Sequence, residues 1–91
     1  MTTKTTIALN LANTTLLAVA ETIKEHGDRY CTAWSISEAG RLATDLHLAS
    51  YGVSDPAVLT QLARALIAVE SVERALMDDA VAYSRAAIAA A

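Results

Sequence analysis

The sequence contains a single cysteine, Cys31, among its 91 residues. One cysteine can form neither an internal disulfide nor a cysteine-based zinc site. Disulfides are typical of secreted proteins and other oxidising environments, so a chain that cannot form one fits a reducing compartment best. The cysteine usage therefore indicates a cytoplasmic protein.

Long hydrophobic runs are also missing. The N-terminal stretch carries one lysine, Lys4, and its apolar residues are interrupted by Asn10, Asn13 and several threonines. A signal peptide needs a longer unbroken apolar core and a small-residue cleavage site. The apolar run at residues 16–20 is too short to cross a bilayer. We therefore expect a cytoplasmic location and no membrane partner.

Proline, glycine and aromatic residues are scarce, with one proline, three glycines, one tryptophan and no phenylalanine. Proline and glycine are the least favourable residues in a helix interior, whereas alanine, which is abundant here, is the most favourable. A chain of this length forms one domain, because a second would be too small to support its own core. We predict a single helical domain over residues 1–91.

Basic residues are few and scattered along the chain. Seven Lys and Arg stand against ten Asp and Glu, and the formal net charge is −3. Domains that bind nucleic acid normally carry a basic excess on one face. The charge therefore argues against nucleic acid and favours a protein or small-molecule partner, although net charge alone does not exclude a local basic patch.

Apolar residues at spacings of three and four predict helices over about 7–26, 36–51 and 56–88. Residues 5–11 also alternate in polarity and leave a short strand open, but one strand would have no partner to satisfy its backbone. The first helix is predicted to turn one apolar face inward, formed by Leu9, Ala12, Leu16, Val19, Ala20 and Ile23. The predicted fold class is all-α, a small bundle with two shorter helices packed on one long C-terminal helix.

Local signals define where these helices begin and end. Gly27 follows a basic residue and is a good C-terminal stop. Ser35 and Glu38 have the spacing of a capping box, which predicts the start of the second helix. Asp55 or the serine before it caps the third helix, and proline follows at the first turn. The adjacent acids Asp78 and Asp79 could cap a new helix start, which leaves open a break in the third helix at this point.

The third helix is apolar on more than one side. Leu59, Ile67 and Val81 lie outside its inward face. A helix that is apolar on two sides is usually buried on two sides, and two short helices cannot cover a long one. Most soluble oligomers are symmetric assemblies of identical chains. We therefore expect a homodimer that forms through these three residues.

A second candidate contact surface is the loop between the first two helices. Arg29, Tyr30 and Trp34 are of the residue types that most often anchor protein interfaces. The alternative is structural: Trp34 precedes the second helix and closes the end of the core. The sequence leaves both interpretations open.

The corner at residues 42–64 resembles a helix-turn-helix, because Gly52 lies in a short turn between two helices. However, Leu48 stands where such units usually need a small residue. The second helix of the corner begins with an acid and offers little more than Thr60, Gln61 and Arg64 to DNA. A plain helix corner is therefore the preferred interpretation.

No arrangement of reactive side chains predicts catalysis or metal binding. His26 and His47 are the only histidines and are too far apart to share one helix face as two ligands would. Cys31 has no convincing base and oxyanion donor beside it. The adjacent acids Asp78 and Asp79 point in different directions on a helix. We predict a non-enzyme without catalytic, metal-binding or cofactor-binding residues.

The function expected from these features is non-enzymatic protein binding. The chain would be a small regulator, adaptor or inhibitor of a bacterium or phage, and it would act by burying a helix face. The contact residues would be Leu59, Ile67 and Val81, together with Arg29, Tyr30 and Trp34. The alternative is a DNA-binding regulator that uses the corner at residues 42–64.

Overall fold

A computed structural model describes residues 2–91, so Met1 of the predicted domain lies outside the described residues. The elements in chain order are α1 (Thr3–His26), a 3-10 segment (Gly27–Ala33), α2 (Ile36–Ala49) and α3 (Pro56–Ala90). Residues 2–91 contain no strand. Both shorter helices pack on α3, which confirms the predicted all-α architecture.

Helix α1 begins at Thr3, about one turn earlier than predicted, so residues 5–11 are helical throughout. Thr2 caps this start, because its hydroxyl oxygen accepts the backbone N–H of Thr5 at 3.2 Å. The side-chain hydroxyls of the same two threonines lie 2.7 Å apart. Thr5, which belongs to the stretch that alternates in polarity, is therefore part of a capped helix start.

The buried face of α1 is rotated from the predicted one. Its buried residues are Thr5, Ala8, Ala12, Thr15 and Val19. Of the predicted inward residues, Ala12 and Val19 are buried, Leu9 and Leu16 are half-buried, and Ala20 and Ile23 are exposed. The buried side chains of α1 are small, which lets α1 pack closely on the rest of the chain. Thr15 is tolerated there because its hydroxyl donates to the Leu11 carbonyl at 2.7 Å.

The predicted stop at Gly27 and the predicted caps at Ser35 and Asp55 are confirmed, although the Glu38 carboxylate bonds the Ser35 hydroxyl and not a backbone amide. Gly27 ends α1 with a φ of 58°. Ser35 Oγ accepts the N–H of Glu38 at 3.1 Å, and its hydroxyl donates to the Glu38 carboxylate. Asp55 accepts the N–H of Ala57 at 2.9 Å and caps α3. Helix α2 ends at Ala49, two residues before the predicted end.

Helix α3 is continuous through Asp78 and Asp79, so the break left open there does not occur. Its 35 residues span roughly 52 Å at ~1.5 Å each and set the 57 Å length of the molecule. Only its first half has buried residues, which are Val58, Leu62, Ala65, Val69 and Val72. From Met77 onward every residue is exposed. The C-terminal part of α3, after the contact of Asp79 with Cys31, therefore extends past the body.

Helices α1 and α3 run in the same direction. Lys4 approaches Gly52 in the turn that precedes α3. Further along, Gln61 donates to the Asn13 side chain at 3.0 Å. Helix α2 runs in the opposite direction to α1 and α3. Helices α1 and α2 contact each other much less than either contacts α3. Each helix therefore keeps a solvent-exposed side.

Candidate protein-interaction surfaces

The exposed side of α3 carries a line of apolar side chains interrupted by two charges. We call this line the outer flank of α3; its members, all exposed, are Leu59, Ala63, Ile67, Glu70, Arg74, Met77 and Val81. Positions that recur every seven residues stay on nearly the same side of a helix. The buried positions of α3 lie on the opposite side. The outer flank is thus a second face of the helix.

The three flank residues predicted from the sequence are exposed to different degrees. Leu59 is 37% exposed, Val81 46% and Ile67 64%. They lie along one helix, with Leu59 and Ile67 about 12 Å apart and Ile67 and Val81 about 21 Å apart at ~1.5 Å per residue. Met77, which was not predicted from the sequence, is 51% exposed between Ile67 and Val81. Exposed apolar side chains grouped on one face are typical of interaction sites.

The two charges of the outer flank have no ionic partner in the isolated chain. Within residues 2–91, the only contact at ion-pair distance joins His26 to Glu25 at 3.8 Å. Glu70 and Arg74 are therefore available to oppositely charged groups from outside the chain. Both occupy the middle of the apolar row rather than its rim.

Shallow depressions border the outer flank where α2 meets α3. One of about 180 Å³ is lined by Leu59 and Ala63 together with α2 residues. The next, of about 280 Å³, reaches Glu70. His47 and Leu66 line both. The flank is therefore continuous with a partly apolar surface contributed by α2.

The 3-10 segment is held against the helices by its aromatic residues. Trp34 is half-buried against the core, and its indole N–H donates to the Thr22 hydroxyl at 3.5 Å. Tyr30 is also half-buried and donates to the Ser71 carbonyl at 3.4 Å. Both hydrogen bonds are long and therefore weak. The burial of Trp34 favours the structural interpretation, in which this residue closes the end of the core.

The two predicted contact surfaces adjoin on α3. The Ser71 hydroxyl donates to the Ile67 carbonyl at 3.0 Å, one turn back along the helix. The carbonyl of the same Ser71 accepts the hydrogen bond from Tyr30. Tyr30, from the 3-10 segment, therefore contacts α3 at Ser71, which lies about one turn along that helix from Ile67. Arg29 is exposed in the 3-10 segment beside Tyr30.

An apolar groove between α1 and α2 was not predicted from the sequence. Its volume is about 650 Å³, and its walls include Ile7, Leu11 and Leu48 with Lys4 and Asp45 at the edges. Ile7 is 61% exposed and Leu48 58%. The spacing of four between Ile7 and Leu11 was a signal for a second apolar line on α1. That signal was obscured because the helix was expected to start near residue 7.

Cys31 is buried, and its thiol donates to Oδ2 of Asp79 at 3.5 Å. Burial raises the pKa of the Cys31 thiol above its usual value, and the hydrogen bond and negative charge of Asp79 raise it further. A nucleophilic cysteine needs the opposite, a lowered pKa and access to substrate. This arrangement therefore holds the sulfur protonated and serves packing.

The histidines are exposed and separate. His26 ends α1, and His47 lies near the end of α2. In the part of the chain that the structure describes, no three His, Cys, Asp or Glu side chains are grouped as a metal site requires. The residues considered in the sequence for metal binding are thus placed apart.

At the corner of residues 42–64, the side chains considered for DNA contact are bonded within the chain. Gln61 is joined to Asn13, and Arg64 donates to the Gln61 side chain at 3.0 Å. Thr60 donates to the Pro56 carbonyl at 2.8 Å. The DNA-binding alternative stays a prediction that no observed contact favours.

The stretch Thr3–Ala33, formed by α1 and the 3-10 segment, is long and apolar enough to cross a membrane by length and composition alone. Its most apolar window has a mean hydropathy of 1.2, and 22% of that window is buried inside the protein. Core helices of soluble proteins and signal sequences meet the same criterion.

Comparison of the chain with known protein families, with curated proteins and with solved structures finds no match. Any proposal of function therefore depends on the surfaces and side chains described above.

Proposed function

We propose that this chain is a non-enzymatic protein-interaction module that self-associates through the outer flank of α3. The observation that carries the proposal is the row of exposed apolar side chains at Leu59, Ile67, Met77 and Val81. Burying apolar surface is the dominant favourable term in protein association, at roughly 25 cal/mol per Å² before the costs of association. A row of this length on one helix is well suited to a helical partner.

A second copy of the chain is the proposed partner. Symmetric homo-oligomers are the commonest assemblies of soluble proteins. From Met77 onward every residue of α3 is exposed, and the contact of Asp79 with Cys31 is the last one described between α3 and the body. The flank therefore runs along a helix that the chain's own α1 and α2 cover only in part. A helix of a second copy supplies a cover of matching length.

The biological role we propose is that of a small regulator, adaptor or inhibitor in the cytoplasm of a bacterium or in a phage-infected cell. A protonated, buried Cys31 and dispersed histidines support a binding role rather than a chemical one. The absence of a disulfide is compatible with a reducing compartment. Tyr30, which adjoins the flank at Ser71, and the exposed Arg29 would extend the contact surface.

The test is the doubly substituted variant Leu59→Glu with Ile67→Glu. Two carboxylates on the flank would have to be desolvated in the interface, so we expect a monomer by light scattering where the wild-type chain is a dimer. Both positions are exposed, so the thermal unfolding of the variant in dilute solution should stay close to that of the wild-type chain.

Leu17→Glu is the matched control, because Leu17 is 60% exposed on α1, close to the 64% exposure of Ile67. This variant should remain a dimer. A wild-type chain that is monomeric at every concentration contradicts the proposal. A double variant that remains dimeric assigns self-association to another surface, such as the groove between α1 and α2.

A further inference from the structure

Given the self-association proposed above, on which this inference rests, we infer that two copies pair their α3 helices antiparallel, with Glu70 of each copy opposite Arg74 of the other. The register follows from the order of residues on the outer flank. It makes Val72 the midpoint of the interface along α3.

The spacing of the outer flank from Ala63 to Val81 is symmetric about Val72, and Leu59, the member outside this span, would lie opposite Arg85. Ala63, Ile67, Glu70, Arg74, Met77 and Val81 follow one another at intervals of four, three, four, three and four residues. This alternation is the one that keeps side chains on the seam between two packed helices. Because the intervals are the same in both chain directions, a helix of reversed direction presents its side chains at matching heights. Ile67 then lies opposite Met77, and Ala63 lies opposite Val81.

The charges distinguish this arrangement from the alternatives. In a parallel pair in register, Glu70 would face Glu70 and Arg74 would face Arg74, and like charges across a seam are destabilising. In the antiparallel pair, each Glu70 faces an Arg74, which gives two reciprocal ion pairs. Shifting the antiparallel register by seven residues would instead place both charges against apolar side chains. Only the centred antiparallel register pairs every charge of the seam.

The same register covers the exposed half of α3. Residues 77–90 are all exposed, and Asp79 contacts the 3-10 segment through Cys31. In the antiparallel pair, Met77 and Val81 of one copy pack on Ile67 and Ala63 of the other. The depressions between α2 and α3 lie beside this contact. Each protruding segment is therefore covered by the first half of the other copy's α3.

Cysteine cross-linking tests the direction and the register together. Two variants, Ile67→Cys and Met77→Cys, are mixed, equilibrated and oxidised with copper phenanthroline. A disulfide requires Cα atoms within ~7 Å. The antiparallel register places residue 67 of one copy opposite residue 77 of the other, whereas the two copies of residue 67 lie about 15 Å apart along the axis at ~1.5 Å per residue. We expect the mixture to form the cross-linked heterodimer, identified by intact mass, and neither variant to cross-link alone.

The wild-type chain is the control for the natural cysteine. Cys31 is buried and should not cross-link under the same oxidation. Both substituted positions are exposed, at 64% for Ile67 and 51% for Met77, so the variants should fold normally. Circular dichroism of each variant before oxidation checks that they do.

Charge reversal provides a second, independent measurement. Glu70→Arg places two like-charged pairs in the antiparallel seam, so its dimer dissociation constant should rise by at least about tenfold. Adding Arg74→Glu to the same chain restores opposite charges and should return the constant to near the wild-type value. Glu21→Arg, an exposed charge reversal on α1, should leave the constant unchanged. In a parallel pair, Glu70→Arg would replace a contact between two glutamates with a contact between two arginines, so like charges would face each other in both cases.

The outcomes separate this inference from the proposal on which it rests. A wild-type chain that sediments as a monomer overturns both. A dimer in which Ile67→Cys cross-links to itself has parallel α3 helices, so self-association stands and the antiparallel register fails. A dimer in which no combination cross-links and charge reversal has no effect overturns the use of this flank.

Discussion

The sulfur of Cys31 lies 3.5 Å from Oδ2 of Asp79, although the two residues are 48 positions apart in the chain. This contact joins the 3-10 segment to α3 near the point where α3 leaves the body. Cys31 is buried, whereas Asp79, which lies beside it, is exposed. The thiol therefore faces an acidic group at the boundary between core and solvent, and both burial and the carboxylate raise its pKa.

Asp79→Asn should lower the pKa of Cys31. The substitution removes the carboxylate and its charge, while burial, the larger cause of the raised pKa, remains. The rate of iodoacetamide alkylation of the folded protein, measured against pH, should therefore rise at a lower pH than in the wild-type chain. Asp78→Asn is the matched control, since Asp78 is exposed and adjacent but is not bonded to the thiol. Coinciding profiles for the two variants would show that Asp79 does not act on Cys31.

The same pKa shift makes the stability of the fold depend on alkaline pH. The thiol has a higher pKa in the folded chain than in the unfolded one, so the unfolded chain releases the proton first as pH rises. The stability that the protonated thiol contributes is complete below the unfolded pKa and is lost as pH rises through the folded pKa. The free energy of unfolding of Cys31→Ala should therefore fall less at alkaline pH than that of the wild-type chain.

The end of α1 and the starts of α2 and α3 could be predicted from the sequence because the interactions that define them are local. Gly27 adopts a positive φ, and Asp55 accepts an amide two residues ahead. Ser35 needs only the amide of Glu38. Each signal lies within a few residues of the backbone group that it satisfies. No tertiary contact can easily override it.

The buried face of α1 could not be predicted, because packing and not hydrophobicity alone selects it. Leu16 is more apolar than Thr15, yet Thr15 is buried and Leu16 is half-buried. A threonine that bonds its own helix backbone is compatible with close packing, and a small side chain leaves room for the neighbouring helix. The choice between adjacent faces depends on the surface of the other helices, which a single helix sequence does not contain.

The candidate surfaces likewise differ in whether the sequence could predict them. Ile67 could be selected from the sequence because it departs from a strong periodic pattern on a long helix. The groove beside Leu48 depends on how far α1 and α2 separate, which no local pattern gives. The position of Tyr30 against Ser71 likewise depends on the path of the 3-10 segment. Exposure on one helix is predictable, whereas surfaces shared by two elements are not.

Two glycine substitutions should have opposite effects on stability. Gly52 has a φ of 78°, which is strained for any residue with a Cβ; the Nζ of Lys4, 2.7 Å from an added Cβ, ends a flexible side chain that can move away. Gly52→Ala should therefore destabilise the fold by about 1 kcal/mol or more. Gly40 lies inside α2, and its added Cβ would meet only Glu73, at an ordinary 3.8 Å. Gly40→Ala should stabilise the fold by about 0.4–1 kcal/mol.

Urea denaturation followed by circular dichroism measures both glycine effects. Each variant is compared with the wild-type chain at one protein concentration, low enough that association does not contribute to stability. The comparison also tests the turn that precedes α3. Equal stability of the two variants would show that the positive φ of Gly52 is not required.

Truncation after Ala80 should separate folding from self-association. The removed residues are all exposed and lie beyond the body, so the free energy of unfolding at low concentration should change by less than about 1 kcal/mol. Self-association should weaken, because Val81 is lost from the outer flank.

Val81→Ser should reproduce part of the effect of the truncation on self-association, measured by sedimentation equilibrium. Tyr83→Ser is the control, since Tyr83 is 77% exposed but lies off the flank. Equal weakening by Val81→Ser and Tyr83→Ser would mean that the protruding part of α3 contributes to self-association but that the outer flank is not the contact surface.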